Sequence, residues 1–337
     1  MKLVKKKLLK NVFYLLKRKV YIAFYWKAHW AMSEVNHPHV IEIELTNNCN
    51  FRCVHCHRLS MDRKVGNMDF SLFTKIIDEI ATYPVAFLRI VGQGESALHP
   101  LFRKMMQYVS GKSIKIELTT NGSIFDLYSF EEILEWDIDI LGISLDGPDK
   151  VSYLKIRKGG NYDKLTNNIL NFYTVRNKTN KKYPLVCLRN VIFPENTSEQ
   201  LREFKEHWQN FVDEISFNTL STYEQSFNHS YLSHDRCNEL FFDAHIRYDG
   251  SVLLCQHQFL YGHNEIIGNM KTQNLRQIWK SNRLIDMRLL HLKRDFPRAC
   301  KMCFCNTKRP ENYVNARKYN VSKNKIVNAA NKVINIT

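Results

Sequence analysis

Long apolar runs are missing from this chain of 337 residues. None approaches the roughly 20 residues that a helix needs to span a bilayer, and the apolar stretch and small-residue cleavage site of a signal peptide are missing too. Acidic residues are absent from positions 1–30, which carry nine Lys/Arg. Residues 308–337 carry seven Lys/Arg against one acid, Glu311. The net charge of +16 therefore resides in the two ends, and the middle of the chain is close to neutral. A nucleic-acid interface puts basic residues on the folded domain, so nucleic acid is not an expected partner. Long linkers are missing, as is any internal repeat beyond a β/α period.

Cysteine is plentiful, with nine residues. Without a secretory signal, so many thiols point to metal binding in a reducing compartment, and a cytoplasmic location is expected. In the basic N-terminal segment, residues 1–37, apolar side chains such as Leu8, Leu9, Phe13 and Trp26 are interrupted by Lys5, Lys6, Lys10 and Lys17. Two readings stand side by side. A basic amphipathic helix can lie in the membrane interface, here at the inner face, drawn by anionic lipid. It can equally pack on the folded domain with its lysines in water.

Three cysteines follow one β-like stretch. The alternation over residues 40–46 predicts a strand. It leads into Cys49-Asn50-Phe51-Arg52-Cys53-Val54-His55-Cys56, a C-x3-C-x2-C spacing. Three thiolates on one tight loop can hold three irons of a [4Fe–4S] cube, whose usual complement is four cysteines. The fourth iron is then open to a ligand. The alternative is a structural zinc loop, although zinc sites usually present two separated CxxC knuckles.

Downstream, strand and helix signals alternate. Apolar runs suited to strands lie at 86–91, 114–118, 138–145, 185–193 and 214–218. Amphipathic segments lie between them at 71–81, 100–109, 130–136, 162–175 and 199–210. About six β/α units imply a parallel sheet, with ligands at the carboxyl ends of the strands. The cysteine loop sits at such an end. The chain turns polar and irregular over 219–236, where a domain boundary is expected.

The cysteine spacing resembles the signature of radical S-adenosylmethionine (SAM) enzymes. That resemblance implies a partial (β/α)6 TIM-like barrel over residues 38–220. It also implies a [4Fe–4S] cluster on Cys49, Cys53 and Cys56 whose open iron chelates SAM, with an electron donor such as flavodoxin or ferredoxin. Reductive cleavage of SAM would give a 5′-deoxyadenosyl radical that abstracts a substrate hydrogen. Gly92-Gln93-Gly94-Glu95 resembles the superfamily's GGE motif, which implies Gly94 and Glu95 at the SAM amino group. The runs at Thr119-Thr120-Asn121-Gly122 and Ser144-Leu145-Asp146-Gly147 resemble others that contact SAM, which nominates Asn121 and Ser144. As plain sequence these are also ordinary turns. Ile156-Arg157-Lys158-Gly159-Gly160 resembles a run whose arginine contacts SAM, and a guanidinium suits a carboxylate. His55 stands where an aromatic commonly flanks the adenine. Cys187, in an apolar strand, reads as a buried small hydrophobe.

A second cysteine set follows. Asp249-Gly250, flanked by β-like runs, is a hairpin signal, and it lies between Cys237 and Cys255. Cys300-Lys301-Met302-Cys303 comes last. Four thiolates serve zinc or iron–sulfur equally on spacing alone. The pattern resembles the SPASM/Twitch extension of radical SAM enzymes. This implies a small β-hairpin and helix domain over 221–307, with one auxiliary [4Fe–4S] cluster on Cys237, Cys255, Cys300 and Cys303, and Cys305 as a substitute or a free thiol. Residues 308–337 remain as a basic tail. The expected activity is hydrogen abstraction leading to oxidation or epimerisation of a sugar, glycan precursor or other small metabolite. The alternatives are a peptide- or protein-modifying maturase, a tRNA-modifying radical SAM enzyme, and a zinc-stabilised nucleic-acid-binding module. No catalytic acid or base can be assigned from sequence.

Overall fold

Alternation decides the first strand. In β1 (Val40–Ile43), Ile41 and Ile43 are fully buried while Val40 and Glu42 are half-buried, as expected when successive side chains leave a strand on opposite faces. Strand β2 (Phe87–Ile90) buries consecutive residues, β3 (Ile116–Thr120) repeats the alternation, β4 (Ile138–Ser144) and β5 (Leu185–Ile192) again bury consecutive residues, and β6 (Glu214–Thr219) completes the set. The computed structural model describes residues 37–300 except 84, 86, 221–236, 238, 257–264, 294, 298 and 299. The basic N-terminal segment, the C-terminal tail, Cys303 and Cys305 lie outside the described residues.

Helices follow the strands in turn. They are α1 (Phe70–Ile80), α2 (Phe102–Val109), α3 (Ile124–Leu127), α4 (Phe130–Glu135), α5 (Lys150–Ile156), α6 (Tyr162–Lys178) and α7 (Ser198–Trp208). Each β/α/β passage is long enough for a parallel crossover, and β1 to β6 pair in parallel in chain order. This is the partial (β/α)6 barrel expected. One face of the sheet is apolar. Ile41, Leu88, Ile116, Leu141 and Leu188 are fully buried, and Phe73, Phe102, Phe172 and Trp208 of the helices are buried with them. Each such side chain contributes about 1.5–3 kcal/mol on leaving water.

Two further helices are set by their caps and by what they bury. Helix α5 starts at Asp149, whose carboxylate accepts the Ser152 N–H at 2.8 Å. Helix α10 (Asn282–Leu292) buries Arg288 and His291, and these polar inward residues mask its periodicity. Ser281 caps it by accepting the Leu284 N–H.

After the masked stretch 221–236 the chain continues through α8 (Glu239–Phe242), β7 (Asp243–Ile246), β8 (Ser251–Leu253), β9 (Ile266–Asn269) and α9 (Leu275–Trp279). Strand β7 pairs in parallel with β1, Glu42 opposite His245, on the edge away from β2. Strands β8 and β9 add antiparallel. The result is one nine-stranded sheet, and the hairpin of the second cysteine set extends the barrel sheet. The Gly250 N–H donates to the Arg247 carbonyl at 2.9 Å, and Gly250 has φ +85°, the positive angle that a turn glycine supplies.

Candidate functional site

The cysteine loop leaves the carboxyl end of β1 and is clasped at its base. Thr46 Oγ1 donates to the Gly66 carbonyl at 2.8 Å. The Asn47 amide accepts the Gly66 N–H at 2.8 Å and donates to the Lys64 carbonyl at 2.9 Å. The Tyr248 hydroxyl, in the turn between β7 and β8, donates to the same Lys64 carbonyl at 2.8 Å. Behind the loop, Glu44 takes a bidentate pair of hydrogen bonds from Arg63, both 2.9 Å, and a third from the Gln93 N–H at 3.1 Å. Fork-to-fork pairing of this kind fixes geometry as well as charge. Thr46, Asn47, Glu44, Arg63 and Tyr248 carry no motif signal, and only strand register reveals their role.

The loop crosses to the run after β4. Arg52 N–H donates to the Lys158 carbonyl at 2.8 Å and Val54 N–H to the Ile156 carbonyl at 3.0 Å. Gly159 has φ +97°, and a Cβ there would lie 3.1 Å from the Asn50 carbonyl oxygen. The Ile156–Gly160 run therefore docks on the cysteine loop through its backbone. Arg157 comes with it. Its Nε donates to Asp146 Oδ2 at 2.6 Å. Asp146 is fully buried, also accepts the Val191 N–H at 2.8 Å, and has His55 Nε2 3.5 Å away. Burial disfavours the Arg157 charge, but Asp146 and Cys53 outweigh it and hold its pKa above the ordinary arginine value. Burial also lowers the His55 pKa, against the pull of Asp146.

Gly94 and Glu95 lie against the start of the cysteine loop. A Cβ on Gly94 would sit 2.4 Å from the Thr46 oxygen and 2.5 Å from the Asn48 oxygen. The Glu95 N–H donates to that Asn48 carbonyl at 2.8 Å. The Glu95 side chain is buried and accepts from Thr120 Oγ1 at 2.8 Å and from the Asn121 N–H at 2.6 Å. Burial raises its pKa, and these donors oppose the rise. Asn121 turns its amide toward the cysteines. Nδ2 donates to Asn50 Oδ1 at 3.0 Å and reaches Cys49 Sγ at 3.8 Å, while Oδ1 accepts the Ser123 N–H at 2.9 Å. Ser144 is the half-buried last residue of β4, at the same end of the sheet. Cys187 is fully buried, with its thiol pKa pushed up by burial.

Three thiols on one loop are donors of the kind a cluster takes, although among the described residues no three His, Cys, Asp or Glu side chains are gathered closely enough to hold a metal ion. Cys49, Cys53 and Cys56 are close enough that each would feel its neighbours' charge. Burial raises Cys49 and Cys53 above the ordinary thiol pKa. The Phe51 N–H, 3.4 Å from Cys49 Sγ, and the Arg58 guanidinium oppose this at Cys49, and Arg157 opposes it at Cys53. N–H donors and guanidinium groups beside sulfur favour the thiolate that a metal requires. Cys49, Cys53 and Cys56 would hold the cluster, which when bound supplies one electron to SAM. Gly94 and Glu95 lie against the start of the cysteine loop, Arg157 belongs to the run docked on it, and Ser144 ends β4 at the same end of the sheet. A groove of about 560 Å³ lined by Lys115, Trp136 and Tyr183 opens at the amino ends of β3 to β5. That is the opposite end of the strands, away from this chemistry.

Cys237, Cys255 and Cys300 are half-buried. Cys255 follows β8, which runs against β7, so it lies at the amino end of β1 while Cys49 lies beyond the carboxyl end. Gln256 Nε2 donates to Glu239 Oε1 at 2.8 Å, joining the segments that carry Cys255 and Cys237. Arg288, buried in α10, donates to the Leu240 carbonyl at 2.8 Å and the Trp279 carbonyl at 3.0 Å, and lies 4.3 Å over the Trp279 ring. It ties together α8, α9 and α10, and burial lowers its pKa to about 10.

Comparison with known proteins agrees with this geometry. Residues 43–207 match the model of the radical SAM superfamily, and residues 237–304 match that of SPASM, an iron-sulfur cluster-binding domain. The chain belongs to the radical SAM superfamily and carries a C-terminal SPASM domain, with SAM and [4Fe–4S] clusters as its cofactors. It is 25% identical over 312 residues, 77% of this chain and 86% of the relative, to the tungsten-containing aldehyde ferredoxin oxidoreductase cofactor-modifying protein of Pyrococcus furiosus. It is 26% identical over 205 residues, 51% of this chain and 46% of the relative, to the antilisterial bacteriocin subtilosin biosynthesis protein AlbA of Bacillus subtilis. Its fold resembles that of Streptococcus suis SuiB bound to the precursor peptide SuiA, with a TM-score of 0.61 and 15% identity, over 86% of this chain and 76% of that one. Among the described residues no helix is long and apolar enough to cross a membrane.

Proposed function

We propose that this protein is a radical SAM enzyme that modifies a peptide or protein, with an auxiliary cluster on Cys237, Cys255, Cys300 and Cys303. Its relatives support this alternative better than the sugar or small-metabolite substrate expected from sequence. The observation that carries the reading is the relative AlbA, which acts in bacteriocin biosynthesis. The fold that holds a precursor peptide in SuiB is compatible with it. The Pyrococcus relative spans most of both chains, which favours modification of a cofactor as a second reading. Oxidation of the substrate, a one-electron donor of the flavodoxin or ferredoxin kind and a cytoplasmic location belong to the same proposal. Gly94, Glu95, Ser144 and Arg157 bind SAM in this scheme, and Asn121 holds the cysteine loop.

The test is anaerobic. The reconstituted protein should hold about eight irons, from two four-iron clusters, and release 5′-deoxyadenosine from SAM under dithionite. Cys53→Ala should abolish that release. Peptide and small-metabolite fractions of a cell lysate are then added separately. Stimulation by the peptide fraction alone supports the reading. Stimulation by the small-metabolite fraction alone rejects it.

A further inference from the structure

The cysteine loop has an outer side. Cys53 is turned inward and is 7% exposed, while its two neighbours, Arg52 and Val54, are turned outward, Val54 being 56% exposed. This is the alternation of an extended segment, and it puts exposed side chains on both flanks of a cluster ligand. The bond from the Val54 N–H to the Ile156 carbonyl brings the segment to the C-terminal end of α5. The bond from the Arg52 N–H to the Lys158 carbonyl fixes it just beyond the helix.

Helix α5 carries apolar side chains on both of its faces. Tyr153 and Ile156, three residues apart, are buried, as one face of a helix requires. Val151 and Leu154, also three apart, form a second pair and are 63% and 41% exposed. Lys155 is exposed beside Leu154. Scattered exposed apolar side chains are ordinary, whereas a group of them rimmed by charge marks an interaction surface. The rim here is cationic. Segments 50–56 and 148–163 expose Arg52, Lys150, Lys155 and Lys158 against Asp149 and Asp163. Lys150 is paired with Asp163, and Asp149 accepts the Ser152 N–H at 2.8 Å. Arg52, Lys155 and Lys158 take part in no ion pair among the described residues.

We propose that this surface, Val54, Val151 and Leu154 with Arg52, Lys155 and Lys158, docks an acidic one-electron carrier protein. Each reductive cleavage of SAM consumes an electron, which must reach the cysteine loop from outside the chain. One electron leaves the carrier, which is oxidised, and enters the cluster held by Cys49, Cys53 and Cys56, which is reduced. No bond is made or broken. Exposed cations steer an acidic partner and set its orientation, and redox encounters make do with small interfaces. A bilayer or a second copy of the chain would also fit a basic, apolar face, but neither brings an electron to Cys53. The inference rests on the proposed function for the need of a one-electron donor, and on exposure and charge for the place where it docks.

The probes are a flavodoxin and a ferredoxin, both acidic, with cytochrome c as a basic carrier for comparison. Their binding to the reconstituted full chain is measured by calorimetry. An acidic carrier should bind, and about tenfold more weakly at physiological ionic strength than at low salt, because exposed charges are screened. Lys155→Glu should weaken it about tenfold again, and Leu154→Ser should weaken it at every salt concentration. Both variants should release 5′-deoxyadenosine normally under dithionite, which needs no docking surface, and slowly under the reduced carrier. Lys178→Glu, at the far end of α6, is the control and should change nothing. Binding by neither acidic carrier, cytochrome c binding as tightly, or binding unaltered in Lys155→Glu and Leu154→Ser overturns the inference. So does binding to phosphatidylserine vesicles that depends on Lys155, or self-association in light scattering that depends on Leu154, when no carrier binds. If a carrier binds through Lys155 and no peptide fraction stimulates the enzyme, the surface stands and the peptide reading falls. If peptide stimulates the enzyme under dithionite and no carrier binds, the surface alone falls.

Discussion

Asn121 shows how much one side chain can be asked to do. Its amide joins Asn50, Ser123 and the Cys49 sulfur, so the residue that resembles a SAM contact works as a brace for the cluster loop. Asn121→Ala should cost about 1–3 kcal/mol, as expected when buried partners lose their hydrogen bonds. It should also move the cluster to a more negative reduction potential, because N–H donors stabilise the more electron-rich reduced state. Potentiometric titration followed by EPR reads that shift, and an unchanged potential rejects the brace. Arg157 raises a second point. Its Nε is committed to Asp146, which is fully buried. Arg157→Gln leaves that carboxylate short of a cation and should destabilise the fold by about 3–5 kcal/mol. A urea titration measures it, and wild-type stability would show that the pair is dispensable to the fold.

Elements meet through backbones where glycine allows it. The loop after β2 approaches the cysteine loop so closely that a Cβ on Gly94 would overlap two carbonyl oxygens. Backbone atoms on both sides cannot swing aside, so Gly94→Ala should push the loops apart. The expected result is a reconstituted protein with fewer irons and no SAM cleavage, while the far-UV circular dichroism keeps its shape. Strand β7 makes a different kind of contact with β1, through charge. Burial opposes the imidazolium of His245, but Glu42, Glu239 and Asp243 prevail and raise its pKa from 6.5 to about 9. A raised folded-state pKa means that the proton stabilises the folded form. The contribution is complete below pH 6.5 and disappears as pH climbs through about 9. The melting temperature should therefore fall over that window in the wild type and fall less in His245→Gln. Equal slopes in the two proteins would show that His245 is not the group responsible.

The molecule as a whole places its first cysteine set and Cys255 at opposite ends of one sheet. The first follows the carboxyl end of β1, and Cys255 lies beyond β8 at the amino end. Metal binding at one end is then separable from metal binding at the other. Cys237→Ala with Cys255→Ala should lose about four irons, one cluster's complement, while 5′-deoxyadenosine still forms. Loss of all iron would mean that the ends assemble as a unit. The coupling to look for is Tyr248, which reaches from the β7–β8 turn to the base of the SAM cysteine loop.

Much of this was legible in order along the chain. The spacing of Cys49, Cys53 and Cys56 is covalent, so it survives any uncertainty about the fold. The β/α alternation is a local period, and β1 to β6 appear where it places them. The strand over 114–118 begins later, at Ile116, because the Ile116 N–H is taken by Asp139 from β4. Helix α10 has no clear amphipathic period in the sequence because Arg288 and His291 are buried. The pairing of Arg189 with Glu117, 72 residues apart, has no trace in sequence. Neither does the parallel seat of β7 on β1. Covalent spacing and periodicity belong to neighbours along the chain, and they carry the family, the strands and the ligand loops. Which charges meet in the lumen, and which glycine must lie against which carbonyl, depends on the register of distant strands, which only the packed sheet sets.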